Sequence, residues 1–297
     1  MTDAAVTVVI PTYDGPDDVR RCLDALRSGV RQPEFIMVFD QSRGCATADM
    51  VARFPNVTYT HLPVPNASAA RQAGLLAANT TLVAFTDDDC VPDPGWLDAL
   101  VTAYQQELCH RGQVAAVTGR VLPLPGSKGL AVGGRASTVR RVFCAQDGSL
   151  NRAEWGPWDV GGGGNVMVDR SLALAAGGWD PSLGPGTSAR AGEDVDFLYR
   201  VARAGVIVFT PAAVIFHTAA SRRDRLARRY PYGRGMGACL AKHLALRDPA
   251  ALPLLSLYLR HMVRSMTRSV WGPVEGTFTF AGFLAGFATR ILRSEVS

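Results

Sequence analysis

Three adjacent carboxylates, Asp87, Asp88 and Asp89, are the residues of this chain best suited to chemistry. They follow directly on Leu82-Val83-Ala84-Phe85-Thr86, a short, mostly apolar run rich in Val and Phe. Such a run reads as a buried parallel strand with the acids at its C-terminal end. In open α/β sheets that edge is where ligands bind. Three neighbouring Asp repel one another unless a cation lies among them, and hard oxygen ligands suit Mg²⁺ or Mn²⁺. A solvated acidic turn capping the next helix is the plain alternative. A second acidic pair, Glu193 and Asp194, precedes an apolar helical face of Val195, Leu198, Tyr199, Val201 and Ala202. Acids at a helix start also complement the helix dipole, an effect worth ~0.3–1 kcal/mol.

The elements that must position these groups alternate along the chain. Val6 to Ile10 reads as a β-branched strand, stopped by Pro11. Asp17 to Arg27 has Val19, Leu23 and Leu26 at helical spacing. Glu34 to Phe39 is a second buried strand, closed by Asp40, and a short helix follows through Met50, Val51 and Phe54. Val57 to Thr60 is a third strand, Ala69 to Ala78 a small-residue helix, and Leu82 to Thr86 the fourth strand. Strands alternating with helices argue a parallel sheet with right-handed crossovers. Thr12, Asp40 and Asp87 then face one edge. Trp96, after Pro92-Asp93-Pro94-Gly95, is expected to pack on the sheet. Between Leu122 and Asn151 the residues Pro123, Pro125, Gly126, Gly129, Gly133 and Gly134 break the pattern, so a long, lid-like loop is expected. Val206 to Phe209 and Ala213 to Phe216 read as two short strands, the second ended by His217.

An apolar share of 47% and a charged share of 19% describe a globular chain, not a disordered one. Its 297 residues suffice for one large α/β domain with an appendage, or for two small domains. The six cysteines include no CxxC pair, so no zinc site is suggested, and their scatter fits a reducing compartment. No basic n-region opens the sequence and no 18-residue uncharged apolar stretch occurs, so neither a signal peptide nor a membrane span is expected. The net charge of +5 hides an asymmetry. Residues 219–297 carry 13 Lys and Arg against 4 Asp and Glu, a balance of +9, while the remainder balances at −4.

Taken together, the motifs resemble those of the family 2 glycosyltransferases, whose nucleotide-sugar-binding fold is called GT-A. The resemblance rests on Val8-Val9-Ile10-Pro11-Thr12-Tyr13, on Asp40, on Ala69-Ala70-Arg71-Gln72-Ala73-Gly74 and on Thr86-Asp87-Asp88-Asp89. It continues in Gly177-Gly178-Trp179-Asp180, in Gly192-Glu193-Asp194-Val195-Asp196 and in Pro211 through His217. It covers residues 6 to 217. Gln72 stands where the family often has Asn, and Gln41 where it often has a second acidic or Asn residue.

The resemblance implies an α/β fold of GT-A type, with a mostly parallel sheet flanked by helices. Residues 1–122 would form the nucleotide-sugar-binding half, 123–218 the acceptor half and 219–297 a basic helical extension. Pro11, Thr12, Tyr13, Asp40, Arg71, Asp87 and Asp88 would bind a UDP-, dTDP- or GDP-sugar. Tyr13 could stack on the base, Asp40 accept from base or ribose, and Arg71 clamp phosphate. Each of the three also has an ordinary reading, as a loop aromatic, a turn Asp and a solvated helix Arg. Asp87 and Asp89 would hold the divalent cation, with His217 completing the site. Asp194, beside Glu193, would take the proton from the acceptor hydroxyl. Gly161 to Gly164 would form a tight sugar-pocket turn before the strand Asn165 to Val168. Trp155 and Trp158 offer stacking platforms for an acceptor, or structural packing.

The extension, with Arg222, Arg223, Arg225, Arg228 and Arg229 and an aromatic stretch from Val270 to Leu292, fits an anionic membrane surface and a glycan or lipid-linked acceptor. No nucleic acid partner is expected. The implied protein is an inverting, metal-dependent enzyme of cell-envelope polysaccharide or glycolipid synthesis, cytoplasmic and peripheral at the inner face of the membrane. The rival readings are a sugar nucleotidyltransferase and a non-catalytic nucleotide-sugar-binding protein. Thr12 to Pro16 lacks the Gly-rich basic triphosphate loop of the first, and the intact Asp89 and Asp194 argue against the second.

Overall fold

The structure, a computed structural model, describes residues 4–127, 137–145, 150, 153–219, 221–267 and 271–294, with residues 292–294 described by backbone alone. It opens with β1 (Val6–Thr12), all seven residues of which are buried. Helix α1 (Pro16–Arg27) starts with Pro at its first turn and buries Val19, Cys22, Leu23 and Leu26 along one stripe. The chain continues through β2 (Phe35–Asp40), α2 (Ala46–Val51), β3 (Val57–His61), α3 (Ala67–Ala77) and β4 (Leu82–Thr86). Asn66 caps α3 by accepting from the Ala69 amide. Gly74 lets α3 lie close on the sheet, since a Cβ there would stand 2.3 Å from Val9 Cγ1. These strands are parallel in the order β3-β2-β1-β4, with Thr12 directly beside Asp40.

The second half is mixed. It comprises β5 (Cys90–Pro92), α4 (Trp96–Arg111), β6 (Val114–Pro123), β7 (Arg141–Phe143), α5 (Pro157–Val160), β8 (Asn165–Asp169), α6 (Arg170–Ala175), α7 (Glu193–Ala204) and β9 (Val206–His217). Antiparallel β8 joins β4 to β6, and β9 runs parallel to β6. Strands β5 and β7 pair with the two ends of β9. The parallel sheet expected from the sequence thus holds for the first four strands and gives way beyond β4. The two short strands expected at residues 206–216 are one. A register shift opposite Gly119 and Arg120 absorbs Pro211, which cannot donate to a ladder. The expected loop between Leu122 and Asn151 carries β7, and much of the remainder, including Gly129, Gly133 and Gly134, lies outside the described residues.

Three helices follow: α8 (Arg222–Ala245), α9 (Ala251–Thr267) and α10 (Gly272–Ser294). Helices α8 and α10 meet through two pairs of glycines four residues apart, Gly233 with Gly237 and Gly282 with Gly286. A Cβ at any of them would fall within about 2 Å of a carbonyl oxygen of the other helix, at Thr279, Phe283, Tyr230 and Arg234 in turn. Small residues at this spacing permit backbone-to-backbone approach. The extension also shares a core with the rest: Met236, Leu240, Leu254, Tyr258 and Phe283 belong to the same buried cluster as Trp179 and Phe197.

An ionic network ties α8 to α7. Asp196 is fully buried. It accepts from Arg200 Nε at 2.8 Å, Lys242 Nζ at 2.8 Å and His243 Nε2 at 2.9 Å. Lys242 also reaches Asp180 at 2.7 Å, and His243 Nδ1 lies 3.2 Å from Asp248. Burial alone would raise the Asp196 carboxyl. The His243 hydrogen bond and the charges of Arg200 and Lys242 outweigh it and hold it well below the usual carboxylate range.

Removing one partner of a buried ion pair leaves the others uncompensated, so Asp196→Asn is expected to cost roughly 3–5 kcal/mol in denaturant titrations at pH 7. Because the folded carboxyl titrates below its unfolded value, that contribution is present above the unfolded pKa of about 4 and fades as pH drops below it. The gap between wild type and variant is expected to close in acid, and a gap unchanged at pH 3 contradicts the assignment.

Candidate active site

A cleft of about 660 Å³ opens at the C-terminal edge of the parallel strands. It is lined by Pro11, Thr12 and Tyr13 from β1 and its loop, by Arg71 from α3, and by Asp87, Asp88 and Asp89 after β4. His217, at the end of β9, completes that side. The sheet order brings these groups together, because β1 and β4 are neighbours and β5, just beyond the acids, pairs Cys90 with His217.

Each carboxylate of the triplet has a different partner. Asp87 Oδ1 accepts from Arg71 Nη2 at 2.5 Å. Asp88 Oδ2 accepts from the Thr12 hydroxyl at 2.6 Å, and burial pushes its carboxyl up to about 7 against that bond. Asp89 Oδ2 lies 3.0 Å from His217 Nε2, while His217 Nδ1 stands 2.7 Å from the Thr218 carbonyl. Burial would raise Asp89, but the His217 bond and charge leave it below its ordinary value. The Asp89 bond in turn raises His217. Ligand atoms of Asp87, Asp89 and Cys90 all lie within 4.8 Å of one another. Carboxylate oxygens backed by one imidazole form a donor set that fits Mg²⁺ or Mn²⁺.

Arg71 is 5% exposed and sits between the two acidic motifs. Its Nη1 lies 3.7 Å from Glu193 Oε1, its guanidinium carbon lies 5.1 Å from the Trp179 ring centre, and its Nε and Nη1 have no hydrogen-bond partner. Trp179 stacks on Phe197 of α7 at 4.0 Å. Burial, followed by the Asp194 charge, pushes the Glu193 carboxyl up to about 7 although Arg71 opposes it. The glycine run packs over these groups. A Cβ at Gly163 would stand 3.0 Å from Arg71 Cζ, and one at Gly164 would stand 2.4 Å from Asp87 Oδ2. The close approach anticipated at this run is therefore made first to the protein's own charged side chains.

Other residues anticipated from the sequence lie elsewhere. Asp40 does not line the cleft: it is 0% exposed, accepting from the Tyr59 hydroxyl at 2.8 Å and from the Ser42 amide at 2.9 Å as well as the Ser42 hydroxyl. Ser42 Oγ accepts from the Asp14 amide at 2.8 Å, so Asp40 steadies the loop that presents Tyr13, which is 46% exposed at the rim. Gln41 lines the cleft instead and ties that loop to the start of α3 through the Val64 and Asn66 carbonyls. Gln72 is turned to the Gly-Gly-Trp segment, accepting from the Trp179 amide at 2.7 Å. Glu193 and Asp194 open α7 behind Arg71. Trp96 is buried as expected and donates to Asn165 Oδ1 at 2.8 Å. Trp155 lies under Arg141 at 4.0 Å and Trp158 against Tyr258 at 5.2 Å, both in packing roles away from the cleft. The sequence reading missed Asn165, Gly186, Arg228 and Tyr232 as lining residues. Only the proximity of α8 to His217 along the chain hinted at the last two.

A parallel half and a mixed half meeting at an acidic triplet match the GT-A fold. The family described as "Glycosyl transferase family 2" matches residues 7–117. A pre-mycofactocin glycosyltransferase from Mycobacterium tuberculosis is 29% identical over 248 residues, covering 80% of this chain and 48% of that protein. The chain thus spans about half the length of the curated relatives it matches first. Among solved structures, the mannosyltransferase PcManGT from Pyrobaculum calidifontis, in complex with GDP-Man and Mn²⁺, matches with a TM-score of 0.60 at 18% identity, covering 100% of this chain and 79% of that one. S. aureus TarS 1–349 in complex with UDP-GlcNAc matches with a TM-score of 0.61 at 13% identity, covering 95% and 81%. At these identities the likeness concerns the fold. With the ordered motifs, residues 7–117 match the family 2 glycosyltransferase model, and the curated relatives to which the chain is similar are glycosyltransferases.

Proposed function

We propose that this chain transfers a sugar from a nucleoside-diphosphate donor to an acceptor hydroxyl, with inversion at the anomeric carbon. The observation that carries the reading is the cleft itself: three Asp, His217 and an incompletely partnered Arg71 around a space of the size that small-molecule sites occupy. The complexes of PcManGT with GDP-Man and Mn²⁺ and of TarS with UDP-GlcNAc support a nucleotide sugar and a divalent cation here. Tyr13 at the rim offers a stacking surface for the base. Asp87 and Asp89, with His217, would hold the cation, which when bound supplies Lewis-acid neutralisation of the leaving diphosphate.

The chain's own groups do the rest. Arg71 fixes Asp87 in place and sets Glu193 behind it. Glu193 is engaged with Arg71, so we assign proton acceptance to Asp194, the next residue on the first turn of α7. The acceptor oxygen attacks the anomeric carbon as its proton passes to the Asp194 carboxylate. The bond to the diphosphate oxygen breaks on the opposite face, which gives inversion in a single displacement.

The extension supports a membrane-surface setting for a glycan or lipid-linked acceptor. Among the described residues no helix is long and apolar enough to cross a membrane. Helix α10 nonetheless exposes Val274, Phe278, Phe280 and Leu284, with Trp271 just before it, and Arg222 lies over the Trp271 ring at 3.6 Å. An apolar face beside cations is the pattern of an interfacial helix.

Asp194→Asn is expected to lower transfer by about 100-fold or more, the scale of general-base loss, while nucleotide affinity stays within twofold. Transfer within tenfold of wild type, together with a collapse in Glu193→Gln, moves the role to Glu193. In sedimentation, the protein is expected to pellet with anionic vesicles at low salt and to be released as salt rises; equal pelleting with neutral vesicles contradicts an electrostatic anchor.

A further inference from the structure

The cleft has a wall that the chemistry above leaves unused. Arg228 and Tyr232 line it, on the side of Asp89 and His217. They are four residues apart on α8 and so share one face of the helix. Helix α8 begins five residues after His217, so the segment that ends β9 at the acidic triplet delivers both side chains to the cleft.

Three of the neighbouring arginines are committed elsewhere. Arg225 lies 3.9 Å from Glu275, Arg229 bonds to the same carboxylate, and Arg222 covers the Trp271 ring. Among the described residues, Arg228 is the member of this group that faces the cleft, and no hydrogen bond or ion pair holds its guanidinium. Arg71, which also lines the cleft, has its buried Nε and Nη1 without hydrogen-bond partners. Two guanidiniums line one space, and three carboxylates beside them would hold a cation. That pairing suits a ligand of high negative charge with several acceptor oxygens, as a diphosphate is. Guanidinium forks bind phosphate bidentately.

We infer that the C-terminal segment completes the donor site: Arg228 grips the donor's diphosphate together with Arg71, and Tyr232, next along the same face, covers it. The inference rests on the donor reading given above and extends it to α8. Arg228 is then a substrate-contacting residue of the site, and α8 is a wall of it.

The test is calorimetric titration of UDP, dTDP and GDP with Mn²⁺, and of inorganic pyrophosphate as a probe without a base, into wild type, Arg228→Ala, Arg228→Lys and Tyr232→Phe. Arg228 is exposed and Tyr232 half-exposed, so the variants are expected to melt with wild type. Loss of a charge-assisted contact predicts roughly tenfold or more weaker binding of both nucleotide and pyrophosphate by Arg228→Ala. Arg228→Lys is expected to recover part of it, while uridine and guanosine, which lack phosphate, bind equally to all forms. Once an acceptor is in hand, the loss is expected in the KM for the donor more than in kcat. If Arg228→Ala binds nucleotide and pyrophosphate as tightly as wild type while Asp89→Ala does not, the inference is wrong and the donor reading stands. Wild type that binds none of the nucleotides overturns both.

Discussion

The buried guanidinium of Arg71 is the interaction on which the site depends. A cation with almost no access to water must be paired, and its partners come from both halves of the fold. Asp87 follows β4 of the parallel half, while Glu193 opens α7 of the mixed half. Trp179 lies against it and stacks in turn on Phe197. Gly163 and Gly164 cover Arg71 and Asp87 because no larger residue fits there without displacing them. One side chain therefore sets the distance between the acidic triplet and the acids that open α7. It also retains donors that the protein does not satisfy.

A second buried network does for the extension what Arg71 does for the cleft. Asp196 stands two residues beyond Asp194 and is held by Arg200, Lys242 and His243. Lys242 also binds Asp180 of the Gly-Gly-Trp-Asp segment. The first turn of α7, which carries the proposed base, is thus fixed to α8, and α8 to α10 through glycines. The geometry of the acids that open α7 and the seating of the extension are one mechanical unit. This accounts for acids at three positions around one helix start, where dipole complementarity alone would need fewer.

The first four strands were legible because short β-branched runs alternate with amphipathic helices there, and parallel topology follows from that alternation. That the triplet, Arg71, Tyr13 and His217 share one cleft was legible through their place after strands or in the order of motifs. Asp40 was readable as a strand-ending acid but not as a buried one, because its partners Ser42 and Tyr59 are ordinary residues until the fold assembles them. The bulge at Pro211 looked like a strand break, since Pro removes a ladder donor and sequence does not show that β6 shifts register around it. Arg228 was hidden among five arginines. A run of charge carries no information about which member faces a cleft, and that depends on how the glycines of α8 and α10 set the rotation of the helix.

In the proposed function, the acidic triplet and His217 form a cation-dependent site for a nucleoside diphosphate. Titration of UDP and GDP into the full chain with Mn²⁺, then with EDTA in excess, tests it most directly. The account predicts saturable binding of at least one nucleotide with Mn²⁺ and loss of that binding in EDTA and in Asp89→Ala. Binding of equal strength with and without the metal, or in Asp89→Ala as in wild type, would contradict it.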